Sequence, residues 1–226
     1  MDLSQALQCL SGSTILIPSV SLGYSGLCCT NLLAKALPAE LVDHVYSPDL
    51  VPFSRYSPNN MLESSLMLYR LRSDVFLFVQ NSMPLKGKHS SFAESISTFV
   101  TINQMKPIVL GSLDISHRPD PSRTDRLFQL CDTSRWNLKL PVLDDSGRFP
   151  GGGNVHQLYK VLKSNPDHLF VFVLTESSPS FEDSVKLALT LNNCLKLDLN
   201  EEIFNSVKNV VFPEEETEIA RSLYLL

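Results

Sequence analysis

At 226 residues, 43% of them apolar and 19% charged, the chain is long enough to bury a sizeable core without disulfides or metals. It is also too apolar to be disordered along most of its length. Its 19 Lys and Arg against 24 Asp and Glu leave a net charge of −5, which excludes an overall electrostatic pull toward nucleic acid or anionic lipid. The N-terminal MDLSQALQCLSGSTILIPSV carries an acid, no early Lys or Arg and a broken apolar stretch, a poor match to a signal peptide. No run of about 18 apolar residues offers a membrane span. The five cysteines, Cys9, Cys28, Cys29, Cys131 and Cys194, form no CxxC pair. They read as small buried hydrophobes in a reducing compartment rather than as a disulfide framework or zinc ribbon. The expected location is the cytosol, with access to the nucleus.

Along the chain, Thr14–Val20 (TILIPSV) is β-branched and apolar and predicts a buried first strand. The turn SLGYSG follows, with Gly23 and Gly26, and then LCCTNLLAKAL, a helix up to Pro38. Strand, glycine turn and helix open an α/β layer structure. Leu41–Tyr46 is a second strand, whereas SPDLVPFSRYSPNN, with three prolines, reads as mostly irregular. Ser64–Gln80 holds two apolar runs separated by Arg72, Ser73 and Asp74, a hairpin. Phe92, Ile96, Phe99 and Val100 share one face of a helix, and Pro107–Gly111 is another buried strand. SLDISHRPDPSRTDR reads as a loop. Val155, Leu158, Tyr159 and Leu162 fall at i, i+3, i+4 and i+7 of a helix, His168–Leu174 is a strongly β segment, and Phe181, Val185, Ala188, Leu189 and Leu195 mark a further helix. These elements predict one α/β domain over residues 1–212, with a central, mostly parallel (mixed) sheet, one hairpin and helices on both faces. An acidic, helical tail ending in an apolar tip follows over 213–226.

The stretch RFPGGGNVHQLYKVL carries the sharpest chemical question. Pro150, Gly151, Gly152 and Gly153 lead into a helix, and such a turn can offer amides to a phosphate or let backbone pack where no side chain fits. A Walker loop needs a lysine directly after its last glycine, and here Asn154 and Val155 follow. A dinucleotide fingerprint needs GxGxxG, and neither this run nor Gly23-Tyr24-Ser25-Gly26 supplies it. The turn reading is the stronger. The rival is a nucleoside phosphorylase-like or hydrolase-like enzyme that uses Gly151–Gly153 as an anion nest, with Arg148 the nearby cation. The adjacent Asp144 and Asp145 read as a solvated turn. The histidines at 44, 89, 117, 156 and 168 lack metal-ligand spacing. Asp114 and His117, near Arg118 and Arg123, could be imagined with Ser112 or Ser116 as a triad, but no GxSxG elbow supports one. Trp136 reads as a core or interface anchor. With no catalytic, cofactor or metal constellation, a binding protein is favoured over an enzyme.

The order of TILIPSVSLGYSGLCCTNLLAKAL, VYSPDLVPF, DDSGRFPGGGNVHQLY and HLFVFVLTESSPSFEDSVKLALTLNNCL resembles the proteasome assembly chaperone 2 family, from about Thr14 to Leu195. The most specific pieces are Ile17–Gly26 and Phe149–Gly153, with Leu50–Pro52 between them. The resemblance implies a non-enzymatic chaperone with a three-layer α/β sandwich. It implies a heterodimer with proteasome assembly chaperone 1, seated on the ring of proteasome α subunits, where it promotes ring assembly and blocks off-pathway association. It also bears on Leu223, Tyr224, Leu225 and Leu226. Proteasome-binding tails end in a hydrophobic residue, a tyrosine and one further residue, and insert between α subunits. Here Leu223-Tyr224 is followed by two residues, so the expected docking is shifted in register. The alternative is that Ile219, Leu223 and Leu226 form the buried stripe of a last helix.

Overall fold

The first apolar run lies at the middle of a sheet. The computed structural model describes residues 10–57, 60–117, 126–131, 136, 138–143, 148–176 and 180–211, apart from the side chains of His117, Cys131, Asn193 and Val210. β1 (Thr14–Pro18) pairs in parallel with β6 (Val75–Gln80) on one side and β7 (Lys106–Asp114) on the other. β7 pairs in parallel with β9 (Leu169–Thr175). The flanks are antiparallel: β5 (Leu66–Arg72) on β6, β2 (Glu40–His44) on β5, and β8 (Leu127–Cys131) on β9. The result is a seven-stranded mixed sheet in the order β2-β5-β6-β1-β7-β9-β8. A separate two-stranded hairpin joins β3 (Ser54–Tyr56) to β4 (Leu62–Ser64).

Alternation along the strands sorts the side chains into two cores. Ile15, Ile17, Phe76, Phe78, Val109, Phe170 and Phe172 face α2 (His89–Ile102) and α3 (Val155–Leu162). Leu16, Leu77, Ile108, Leu110, Val171 and Val173 face α1 (Ser25–Ala36), α4 (Phe181–Leu195) and α5 (Glu201–Val211). Because β1, β6, β7 and β9 are covered on both faces, their sequences are nearly continuous apolar runs. The helices present the stripes that their periodicity predicts: Phe92, Ile96 and Val100 of α2, and Val155, Leu158, Tyr159 and Leu162 of α3, are buried. α4 starts where Ser180 Oγ accepts a hydrogen bond from the Asp183 N–H at 3.2 Å, with Glu182 and Asp183 in its first turn. This is the three-layer α/β arrangement expected from the sequence.

The structure adds elements that the sequence reading left out. β3 lies inside the proline-rich stretch expected to be irregular. β7 continues through Ser112–Asp114, where a loop was expected, and β8 forms just past the end of that loop, in a stretch given no element. α5 was not anticipated at all, although Phe204 of this helix is fully buried. The tight turn between β5 and β6 is held by the Arg72 guanidinium, which donates to both oxygens of Asp74 at 2.6 and 3.0 Å. Trp136 is half-buried against the α1–α4 core and donates its Nε1–H to the Asp167 carbonyl at 3.1 Å. Cys28, Cys29 and Cys194 are free thiols. Burial pushes Cys28 up to about 12 and Cys194 up to about 11, and drives Cys29 upward as well. None of them is a thiolate nucleophile at neutral pH.

The β3–β4 hairpin is tied to α1 by one buried carboxylate. Glu63, 4% exposed, accepts from Arg55 Nε at 2.8 Å and from Lys35 Nζ at 3.0 Å. Burial alone would raise its pKa, but the hydrogen bonds from Arg55 and Lys35 outweigh it, and the net shift is downward. A depressed carboxylate contributes stability above its unfolded value, and that contribution is lost as pH falls through the folded value. Breaking a fully buried pair costs about 3–5 kcal/mol. Arg55 and Lys35 remain partly in water, so Glu63→Gln should cost about 1–2 kcal/mol near neutral pH. In urea titrations the gap between wild type and E63Q should close as pH falls below the ordinary glutamate value of about 4.3. A gap independent of pH would show that the carboxylate's charge is not what ties the hairpin down.

Candidate functional site

The glycine-rich turn is built at the C-terminal ends of β1 and β7, the region where open α/β sheets place their ligands. Three segments meet there. Ser19–Gly26 leaves β1, Leu110–Asp114 ends β7, and Phe149–Asn154 leads into α3. Leu22 N–H donates to Gly151 O at 2.7 Å, and Asp114 N–H donates to Pro150 O at 2.9 Å. Asn154 grips Val20 from both sides: its N–H donates to Val20 O at 3.0 Å, and its Oδ1 accepts from Val20 N–H at 2.8 Å. Beneath, Ser21 Oγ and Ser112 Oγ lie 2.9 Å apart, Ser112 Oγ donates to Leu22 O, and Ser19 Oγ donates to Leu110 O at 2.9 Å.

The glycines make this closeness possible. Gly151 and Gly153 have φ of +71° and +55°, a region that L side chains rarely adopt. A Cβ on Gly153 would sit 1.8 Å from Val20 O, and one on Gly26 would sit 2.2 Å from Leu110 O. Gly23, at φ +68°, lies against Thr175 and Glu176. Gly152 differs from its neighbours, because its φ is not positive. Its constraint is contact, since a Cβ there would meet Phe149 Cβ at 2.8 Å. Phe149 anchors the turn from below, with ring centroids 5.3 Å from Tyr159 and 5.7 Å from Phe172.

These bonds decide what the turn can do. The Gly152, Asn154 and Val155 amides, which an anion nest would present, donate to the carbonyls of Phe149, Val20 and Gly152. The turn holds backbone where the rival reading would hold phosphate. Gly23, Gly26, Pro150, Gly151, Gly152 and Gly153 therefore come together as one latch. Asn154, its central polar side chain, was missed in the sequence reading, since only its partner 134 positions away explains it.

Of the imagined triad, Ser112 and Asp114 are each engaged in local hydrogen bonds. Ser112 spends its hydroxyl on Leu22 O, and Asp114 Oδ1 accepts from Ser116 N–H at 2.8 Å and Ser116 Oγ at 2.7 Å. The side chain of His117, together with Arg118, Arg123, Asp144 and Asp145, lies outside the described residues. So do Leu223, Tyr224, Leu225 and Leu226. Among the described residues no cluster of His, Cys, Asp or Glu could hold a metal, and no helix is long and apolar enough to cross a membrane.

A second candidate lies at the other side of the sheet. Tyr46 is 87% exposed, Tyr56 72%, and Val51 and Leu62 42% each. All four surround the stretch 62–66. Tyr56 pairs with Leu62 across the hairpin, Val51 O accepts from Ser65 Oγ, and the Val45 N–H beside Tyr46 donates to Leu66 O. The two sheet edges are unlike. The outer edge of β8 is covered, with Gln129 bonded to Pro141 and Leu143. No described strand covers β2, which carries Glu40, Asp43, His44 and an irregular register. Charges and a bulge oppose strand addition, so the neighbouring apolar side chains are suited to face-to-face packing.

Comparison with known proteins shows the family of the chain. A family model described as the PAC2 family matches residues 15–202. Proteasome assembly chaperone 2 of Bos taurus is 27% identical over 220 residues, covering 83% of each chain. The Homo sapiens protein of the same name is 26% identical over 219 residues, again covering 83% of each. Among solved structures, Pyrococcus furiosus PbaA, described as an archaeal homolog of proteasome-assembly chaperone, superimposes with a TM-score of 0.72 at 16% identity, over 93% of this chain and 96% of PbaA. Pyrococcus furiosus PbaB, described as an archaeal proteasome activator, gives 0.63 at 16% identity over 94% and 93%.

Proposed function

Because the chain belongs to the PAC2 family, we propose that it is a non-enzymatic chaperone of proteasome assembly. It pairs with proteasome assembly chaperone 1, and the pair promotes formation of the α-subunit ring and blocks off-pathway association. The observation that carries the pairing is the concentration of exposed Tyr46, Val51, Tyr56 and Leu62 at one side of the sheet. Exposed apolar side chains carried on neighbouring segments are suited to interaction sites, and aromatic residues dominate the energetics of interfaces. The closed glycine latch supports the absence of turnover. The reading carries with it residence in the cytosol, with access to the nucleus. In it, residues 1–212 form the chaperone domain and 213–226 a tail whose Leu223–Leu226 segment inserts between α subunits.

Two variants separate these parts. Tyr46→Asp with Tyr56→Asp should leave thermal unfolding nearly unchanged and weaken capture of the chaperone partner by about 100-fold, as two aromatic anchors would. Removal of Tyr224, Leu225 and Leu226 should keep the heterodimer and weaken capture of α-ring intermediates by at least about tenfold, roughly 1.4 kcal/mol. Unchanged ring capture would remove the tail from the mechanism. Unchanged partner capture by the double Asp variant would move the heterodimer interface elsewhere.

A further inference from the structure

A groove of about 630 Å³ runs between α4 and α5, lined by Phe181, Val185, Lys186 and Leu189 on one side and by Glu201, Asn205 and Lys208 on the other. Its apolar floor is a helical stripe, since Phe181, Val185 and Leu189 recur every four residues along α4. Both signs of charge rim it. Lys208 stands over the Phe181 ring at 5.3 Å, and among the described residues no carboxylate pairs with it. Glu201 lies at the opposite end of α5 from Lys208 and is likewise without a cationic partner among the described residues.

The described chain ends at Val211, less than one turn beyond Lys208. The 15 residues from 212 to 226 therefore begin at the Lys208 end of this groove. Their pattern matches it in order. Glu214–Glu216 come first, and Ile219 and Leu223 follow at helical spacing. A return over the groove sets the acids against Lys208 and Lys186 and the apolar residues over Val185 and Leu189. As a helix, residues 214–226 would extend about 20 Å, slightly more than the roughly 16 Å of α5. We propose that the α4–α5 groove is the resting site of this chain's own segment 212–226, held there until another partner competes for it. The regulatory part rests on the tail reading above: the groove and the α-subunit pocket would then share one ligand.

The test uses the full chain alone, without α subunits. Hydrogen exchange should show amides within 216–226 slowed at least about tenfold relative to unstructured peptide rates. Lys186→Glu with Lys208→Glu, both changes at the groove rim, should abolish that protection. Adding Glu214→Lys, Glu215→Lys and Glu216→Lys should restore it. Tail amides exchanging at peptide rates in the wild type, or protection indifferent to the rim charges, would overturn the proposal. In a second arm, a tail held in the groove about nine-tenths of the time lowers its apparent affinity for α subunits about tenfold, so the double Glu variant should capture them about tenfold more tightly. Protection without any α-subunit capture, in wild type and variant alike, would stand for the groove contact and count against ring docking.

Discussion

Gly153→Ala should leave little folded protein. The new Cβ would be placed 1.8 Å from Val20 O, at a φ of +55°. Left-handed backbone alone costs a non-glycine residue about 1 kcal/mol. The clash adds displacement of the carbonyl that Asn154 N–H needs, and a buried donor left unmade costs about 1–3 kcal/mol more. Allowing for the backbone shift, the total should reach at least about 4 kcal/mol, against a typical whole stability of about 5–15. Gly87→Ala is the control, because Gly87 has φ +79° with nothing within 4 Å of its would-be Cβ. It should lose only the backbone term of about 1 kcal/mol. Soluble yield and urea midpoints of the two variants read the difference. Equal losses would mean that the latch tolerates opening and that only the backbone angle matters.

Phe172→Ala should cost about 3–5 kcal/mol, the range for emptying a buried aromatic site. Phe172 is fully buried, 5.7 Å from Phe149 and 6.1 Å from Phe170 between ring centroids. Its loss removes the floor under the glycine turn as well as core volume. The signature is coupling with Phe149. Phe149→Ala alone should cost less, because that ring is only half-buried. The double variant should fall short of the sum by about 0.5–1.5 kcal/mol, the worth of an aromatic pair. Strict additivity in the chemical denaturation cycle would show that the ring contact does not support the turn.

The sequence disclosed whatever depends on local period. β1 and β9 are visible as unbroken β-branched and apolar runs, and the stripes of α2 and α3 because every third and fourth residue is apolar. β8 escaped because LFQLC is five residues beside a polar stretch, and its strand character comes from pairing with β9. α5 escaped because Ile203, Phe204 and Val207 are few among acids and amides. Its burial is supplied by the α1 and α4 core rather than by propensity. At the glycine turn, Pro150 and Gly151–Gly153 announced a special backbone, and the helix start was legible. The bond partners were not, since Val20, Leu22 and Asp114 are brought to the turn only by the sheet order. The exposed tyrosines had no signal at all, because Tyr46 and Tyr56 are indistinguishable in sequence from aromatic residues that pack inside.

The grip of Asn154 on Val20 also sets a timetable for synthesis. The two residues are 134 positions apart, and ribosomes deliver about 5–20 residues per second. The Val20 backbone therefore waits roughly 7–27 s for its partner to be made. During that interval β1 can pair with β6 and then β7, but the turn into α1 has no clasp, and β7 has no β9 to cover its far side. Contacts this distant in sequence form slowly even in a finished chain. A chain stalled between Asp114 and Asn154 would expose an apolar strand edge, the kind that recruits other chains. On the chaperone reading proposed above, the assembler would itself need holding while it is born, until β9 follows the glycine turn and covers β7.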